Sequence, residues 1–240
     1  MIRKIAIITF AAAALICSGT GAAQPARKPL PNAGARPNWN ATVTTTPEGN
    51  RVLGNPAAAL RLVEYVSYTC PHCAQFEIES EGELKLGMVG PGKGAIEIRN
   101  FVRDPVDMTV ALITNCAPAN RFFTLHTAFM RAQSTWIQPL ANSTEAQRQR
   151  WSTGPFASRT RAIAADFKFY EFMAARGMDR PALDRCLGNE ALAKRLAEQT
   201  QQAVDRQGVT GTPSFMLDGI LLAGTHNWAA LRPQLMARTK

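Results

Sequence analysis

The chain has 240 residues, 46% hydrophobic and 19% charged, with 27 basic and 18 acidic side chains and a formal net charge of +9. That apolar share can bury a core, which excludes a disordered chain, and five cysteines are too few for a disulfide-dense mini-scaffold. Past the N-terminus no apolar run is long enough to span a bilayer.

Arg3 and Lys4 precede the apolar run Ile5 to Ile16, and the small residues Ser18 to Ala23 follow. This order marks residues 1–23 as a secretory signal peptide cut after Ala23. The apolar run is shorter than the ~20 residues of a spanning helix. Cys17 follows the bulky Ile16, unlike a lipoprotein acceptor, which has a small residue there. Loss of Arg3 and Lys4 leaves a net +7, spread along the chain without a polybasic block, so no nucleic-acid partner is expected. Export places the protein in the periplasm, where disulfides persist.

Residues 24–51 read as a loose, Pro-rich leader, with a first strand possible over Thr42 to Thr46. Gly54-Asn55-Pro56 reads as a turn. Leu60 to Val66 reads as a buried central strand interrupted by Glu64. A helix is predicted from about Pro71 to Leu86, with proline in its first turn, and a strand over Ala95 to Val102. The order strand, helix, strand makes one βαβ unit. A helical block is expected over about residues 105–188. It contains Met108 to Cys116, a helix with Phe122, Leu125 and Phe129 on one face, Ala162 to Met173 as one helix, and Pro181 to Leu187. Glu190 to Arg206 is a further helix, with Gly208 as its C-terminal cap. Pro213 to Leu217, a turn at Asp218-Gly219 and Ile220 to Leu222 form a hairpin signal. A helix from about Trp228 to Arg238 closes the chain. The fold class is therefore α/β, with a helical block set into a mixed sheet domain.

The chemistry lies in Cys70-Pro71-His72-Cys73, where the central strand meets its helix. Two cysteines three apart at a helix start can open and close a disulfide within one turn. The positive end of the helix dipole stabilises a thiolate on Cys70, and the His72 side chain can give the same sulfur a hydrogen bond or a charge. A stabilised thiolate makes the disulfide the more oxidising partner. Cys70 is expected to be the exposed, attacking sulfur and Cys73 the inward, resolving one. A zinc site would need a second ligand pair, whereas Cys116, Cys186, His126 and His226 are scattered, so no metal is expected. Glu64 points by strand alternation to the interior beneath these cysteines. A buried acid calls for a partner, and Arg99 and Arg103 are the candidates.

These residues resemble the bacterial DsbA family of the thioredoxin superfamily. Cys70-Pro71-His72-Cys73 matches that family's active-site tetrapeptide, Leu62 to Tyr65 its preceding strand, and Gly211-Thr212-Pro213 the superfamily's cis-proline loop. The resemblance covers residues 52–238 and implies a thioredoxin fold with an inserted helical subdomain. It implies that Cys70 attacks, Cys73 resolves, Pro71 and His72 tune the potential, and Glu64 moves a proton when Cys73 ionises. Pro213 is implied to be cis, Thr212 to offer backbone hydrogen bonds to a substrate strand, and Cys116 and Cys186 to form a structural disulfide. Thr212 before the proline is similar to the isomerase branch and to the "family four" DsbA type.

The expected function is that of a periplasmic thiol:disulfide oxidoreductase, acting as a dithiol oxidase on unfolded, cysteine-containing exported proteins. The alternatives are an isomerase or reductase on the same fold, or a non-enzymatic binding module. No cofactor is implied. A membrane partner would reoxidise the pair. Phe122-Phe123, Phe215 and Met216 are candidates for an apolar docking surface, but their helical or strand spacing is more often that of core residues. Residues 24–51 are too few for a dimerisation domain, so a monomer is expected.

Overall fold

The computed structural model describes residues 37–238. The signal peptide and residues 24–36 of the leader lie outside the described residues. Among the described residues, six strands form one mixed sheet: β1 (Val43–Thr45), β2 (Arg51–Gly54), β3 (Leu60–Val66), β4 (Gly94–Asn100), β5 (Ser214–Leu217) and β6 (Ile220–Leu221), in the spatial order β1-β2-β4-β3-β5-β6. Of these pairs only β3 and β4 run parallel, because only they are joined by a helical crossover. That crossover is α1 (Pro71–Leu84) followed by a π-helical turn, Lys85–Val89.

Two edges of the domain differ from the sequence reading. The sheet reaches back to Val43, and β1 pairs with β2, which pairs with β4. The possible first strand over Thr42 to Thr46 is thus present as β1, and the leader gives way to the sheet at Val43 rather than after residue 51. Gly54 ends β2, and the expected turn follows it, with Ala58 N donating to Asn55 O at 3.1 Å. The Gly54 φ of +118° and the 2.8 Å from a hypothetical Cβ to Gly94 O require glycine where the two backbones meet. The four residues of β2 are too few to carry a periodic signal, and the pairing with β4 supplies what the local sequence lacks.

β3 is buried on both faces, and its side chains alternate between two layers. Leu62 and Val66 pack with Phe76, Phe215 and Trp228 in the main core. Val63 and Tyr65 pack with Ala203 and Val209, on the face covered by α10 (Glu190–Gln207). The main-core face carries α1, α3 (Phe122–Arg131) and α11 (Trp228–Arg238).

The helical block begins with α2 (Pro105–Cys116), three residues earlier than its hydrophobic pattern suggests. Asp104 caps it, accepting from the N–H groups of Val106 and Asp107 at 2.9 Å each, and Pro105 fits the first turn. After α3 come α4 (Gln133–Trp136), α5 (Gln138–Asn142), α6 (Glu145–Ser152), α7 (Phe156–Asp166), α8 (Phe169–Ala174) and α9 (Arg180–Leu187). The expected helix Ala162 to Met173 is broken in two at Lys168, which takes a left-handed φ of 60°. On a continuous helix Phe167 and Phe169 would point to nearly opposite sides. The break turns both rings into one aromatic core, 5.6 Å apart and 6.3 and 5.3 Å from Trp136. Packing overrides the helical periodicity there.

Candidate active site

Cys70 stands at the N-cap of α1, where β3 gives way to the loop Ser67-Tyr68-Thr69. Cys70 and Cys73 are free thiols. The structure corrects one expectation at once: Cys70 is only 1% exposed. The Thr212-Pro213 loop covers it, and its Sγ donates to the Thr212 carbonyl at 3.2 Å. Pro71 and His72 beside it are exposed.

The Cys70 thiol is lowered to about 5, chiefly by its hydrogen bond from Cys73, with the Thr212 side chain and the N–H groups of Cys73 and His72 adding to it against the cost of burial. The Thr212 hydroxyl is buried without a partner in this dithiol form, which leaves it free to turn to a thiolate. His72 acts through its main-chain N–H; among the described contacts its ring makes no hydrogen bond to Cys70, contrary to the expectation for its side chain. Cys73 is fully buried, and burial, then the neighbouring Cys70 and Glu64, push its thiol well above the ordinary value. One sulfur is thus ready to ionise and the other is held protonated.

The loop before Cys70 is tied to the helical block. Asp107, fully buried in the first turns of α2, accepts from Ser67 Oγ at 2.6 Å, Tyr68 N at 2.7 Å and Arg103 N at 3.0 Å. Burial raises its carboxyl to about 7, against the pull of the Ser67 hydrogen bond. Asp104 accepts from Thr69 Oγ1. From α4, Gln133 Nε2 donates to the carbonyls of Tyr68 at 2.7 Å and Cys70 at 2.9 Å. Sequence reasoning missed Asp107 and Gln133. The Asp104-Pro105 pair could have marked the helix start, but nothing local shows that α2 abuts the active-site loop.

The Thr212–Pro213 bond is cis. His226, one of the scattered histidines, places Nδ1 2.8 Å from Pro213 O, and Ser214 Oγ donates to Gly211 O at 2.8 Å. Cys116 and Cys186 are disulfide-bonded, with Cα atoms 5.5 Å apart, and join the end of α2 to α9.

Glu64 lies 3% exposed on the main-core side of β3. Burial, then the nearby Glu77 and Cys70, hold its carboxyl well above the usual range. Neither expected arginine reaches it. Arg99 is registered opposite Tyr65, one residue on, so it emerges on the other face of the sheet. There it donates to Glu97 at 2.7 Å and to the Tyr65 hydroxyl at 3.0 Å. The Arg103 side chain is exposed, and its main-chain N–H serves Asp107. Phe122, Phe123 and Phe215 are core residues, as their helical and strand spacing suggests, and do not form an apolar docking surface. The apolar hollow beside the active-site loop is instead one of about 290 Å³, with Val102, Pro105, Met108, Trp151, Phe156 and Ile163 in its wall.

Residues 46–237 match a family model described as Thioredoxin. The chain belongs to the thioredoxin family. A solved structure called a protein-disulfide isomerase, from Novosphingobium aromaticivorans, is 76% identical, covers 79% of this chain and 96% of its own, and superposes with a TM-score of 0.77. The alpha-DsbA1 protein of Wolbachia pipientis is 17% identical over 88% of this chain and 92% of its own, with a TM-score of 0.63, so the helix-inserted fold of DsbA-like proteins is shared. A Rickettsia conorii protein provisionally named a protein-disulfide oxidoreductase is 25% identical over 174 residues, 72% of this chain and 54% of the relative. The chain spans about half the length of the curated relatives it matches. Among the described residues of this thioredoxin-family protein, no helix is long and apolar enough to cross a membrane.

Proposed function

We propose that this protein is a thiol:disulfide oxidoreductase of the periplasm, exported by residues 1–23, that introduces disulfides into exported proteins through Cys70 and Cys73. The observation that carries this reading is the split between the two thiols: Cys70 lowered to about 5 and Cys73 driven the other way. A substrate thiolate attacks Cys70 of the Cys70–Cys73 disulfide. Cys73 leaves and takes a proton. A second substrate thiolate then attacks the mixed disulfide, and Cys70 departs as the stabilised thiolate, leaving a new disulfide in the substrate. A good leaving group at Cys70 drives that last step forward.

In this reading Thr212 pairs its backbone with an extended substrate segment, Pro213 keeps that edge against the sulfurs, and Pro71 and His72 shape the exposed approach. Cys116–Cys186 braces the helical block. A membrane redox partner restores the disulfide, and the protein works as a monomer. Measurement of the reduction potential of the Cys70–Cys73 couple in glutathione buffers tests it. A value near the DsbA level of about −120 mV supports the oxidase, and one near the thioredoxin level of about −270 mV overturns it.

An isomerase is the second reading, favoured by the name of the 76% identical Novosphingobium aromaticivorans protein. It requires the reduced form at work. Reactivation of a scrambled substrate by the reduced protein, and not by the oxidised one, would select it.

A further inference from the structure

Asp107 is a fully buried acid that takes no part in the bond changes at Cys70 and Cys73. It is the third residue of α2, at the positive end of that helix. Among the described residues no basic side chain pairs with it, and the charge that acts on it is the like charge of Asp104. A buried carboxylate without a counter-charge is destabilising unless hydrogen bonds hold it. Asp107 has three.

Two of the three come from the loop before Cys70. Ser67 Oγ donates to Oδ2 at 2.6 Å and Tyr68 N to Oδ1 at 2.7 Å, while Arg103 N donates to Oδ2 at 3.0 Å. Both oxygens therefore face hydrogens, which suits a group that only accepts. Ser67, Tyr68 and Thr69 are buried, so no solvent can replace these bonds. Gln133 serves the carbonyls of Tyr68 and Cys70, and the Tyr68 hydroxyl is anchored between Thr114 and His126 at 3.1 Å from each. Asp107 supplies the acceptor for the Tyr68 N–H and the Ser67 hydroxyl.

The loop is one hydrogen bond from the reactive residue: Cys70 N donates to Ser67 O at 3.2 Å. Cys70 stands at the N-cap of α1 without a side-chain cap, and its Sγ meets Thr212 O at 3.2 Å. The groups that favour its thiolate, among them the Thr212 side chain and the N–H groups of Cys73 and His72, act through hydrogen bonds. A displacement of about 0.5 Å takes such a contact out of hydrogen-bond range.

We propose that Asp107, as a carboxylate, is the positioning residue of the Cys70 sulfur: it pins the loop Ser67-Tyr68-Thr69 to α2 and so holds Cys70 against Thr212 and the N–H groups that open α1. This rests on the reading of Cys70 as the exchanging sulfur. An amide cannot do the same. In Asp107→Asn the remaining oxygen can accept from Tyr68 N, but the amide nitrogen sets a second donor against the Arg103 N–H. Ser67 must then turn its hydroxyl hydrogen toward Thr69 Oγ1, 3.1 Å away.

The test is titration of Cys70 in the reduced protein by the ultraviolet absorbance of its thiolate, in wild type, Asp107→Asn, Ser67→Ala and Tyr170→Phe. In Asp107→Asn the midpoint rises by about one pH unit, and the equilibrium constant for reduction of the disulfide by glutathione at pH 7 falls about tenfold. Ser67→Ala, which leaves the Tyr68 and Arg103 bonds in place, shifts the midpoint the same way by less. Tyr170→Phe removes a hydrogen bond to Asp184 elsewhere in the helical block and leaves the midpoint unchanged. An Asp107→Asn protein that unfolds more easily but keeps the wild-type midpoint overturns the proposal, as does an equal shift in Tyr170→Phe. Should Asp107→Asn not fold, Ser67→Ala decides, and a wild-type midpoint there overturns the pin. Failure of wild type itself to form a mixed disulfide with glutathione would instead reject the underlying thiol reading.

Discussion

The two cysteine pairs of this chain are made of the same side chain and differ in their surroundings. Cys70 and Cys73 sit within one helical turn, at the junction of a buried strand and a helix N-terminus, with peptide N–H groups and the Thr212 side chain around one sulfur and apolar core around the other. Cys116 and Cys186 join two helices across 70 residues of sequence, inside a block whose core holds aromatic rings packed edge to face. In the proposed function, polarisation suits the first pair to exchange, and separation suits the second to brace. The difference teaches that cysteine function is set by which charges and dipoles a sulfur meets, not by burial, since Cys70 at 1% exposed is as covered as Cys186 at 4%.

The largest break in this contrast is Cys70→Ser. It should abolish mixed-disulfide formation, assayed by trapping with a labelled thiol, while urea unfolding shows that the variant is still folded. Residual trapping at Cys73 would show that the two sulfurs are not divided as their surroundings imply. Cys116→Ala with Cys186→Ala should do the reverse. Exchange persists, and urea unfolding loses up to about 4 kcal/mol on the loop-closure model for a loop of this length. A matching loss of exchange would make the second pair part of the chemistry.

The contrast also marks what could be read without a structure. The tetrapeptide, the strand before it and the final hairpin are local, and Asp218 and Gly219 adopt the positive φ values that their turn chemistry suggests. Glu64 was legible as an inward acid because alternation along β3 is a property of one strand. Its partner was not, because that depends on register with β4, and a one-residue offset sends Arg99 to the far face. Asp107, Gln133 and His126 were not legible for the same reason. Each belongs to the helical block and acquires its role only where that block meets β3, α1 and the loop before Cys70.

A smaller effect sharpens the account of the floor. In the oxidised protein neither active-site cysteine titrates, so Glu64 can be followed there. Its folded pKa lies above its unfolded value, so the stability of the neutral carboxyl is fully present below about pH 4.5 and is lost as pH rises through the folded value. Glu64→Gln cannot ionise. It should therefore unfold at higher urea than wild type at pH 7, with the margin shrinking to nothing by pH 4. A margin independent of pH would mean that Glu64 is ionised in place.

The smallest effect is the most direct on the reactive pair. Cys70 at about 5 is depressed from an ordinary thiol value of 9.0, so the stability its thiolate gives the reduced protein is complete above about pH 9 and lost as pH falls toward 5. Below 5, reduction of the disulfide binds two protons. Between 5 and the raised value of Cys73 it binds one. With two electrons transferred, each proton contributes about 30 mV per pH unit. The potential should fall by about 60 mV per unit below pH 5 and by about 30 mV per unit above it. Thr212→Val removes the hydroxyl that stands free beside the sulfur and should move the break upward by about one pH unit, the size of a modest charge-assisted hydrogen bond. A slope that stays at about 60 mV per unit through neutral pH would leave Cys70 a thiol, and with it both the oxidising tendency and the division of labour between the two sulfurs would be lost.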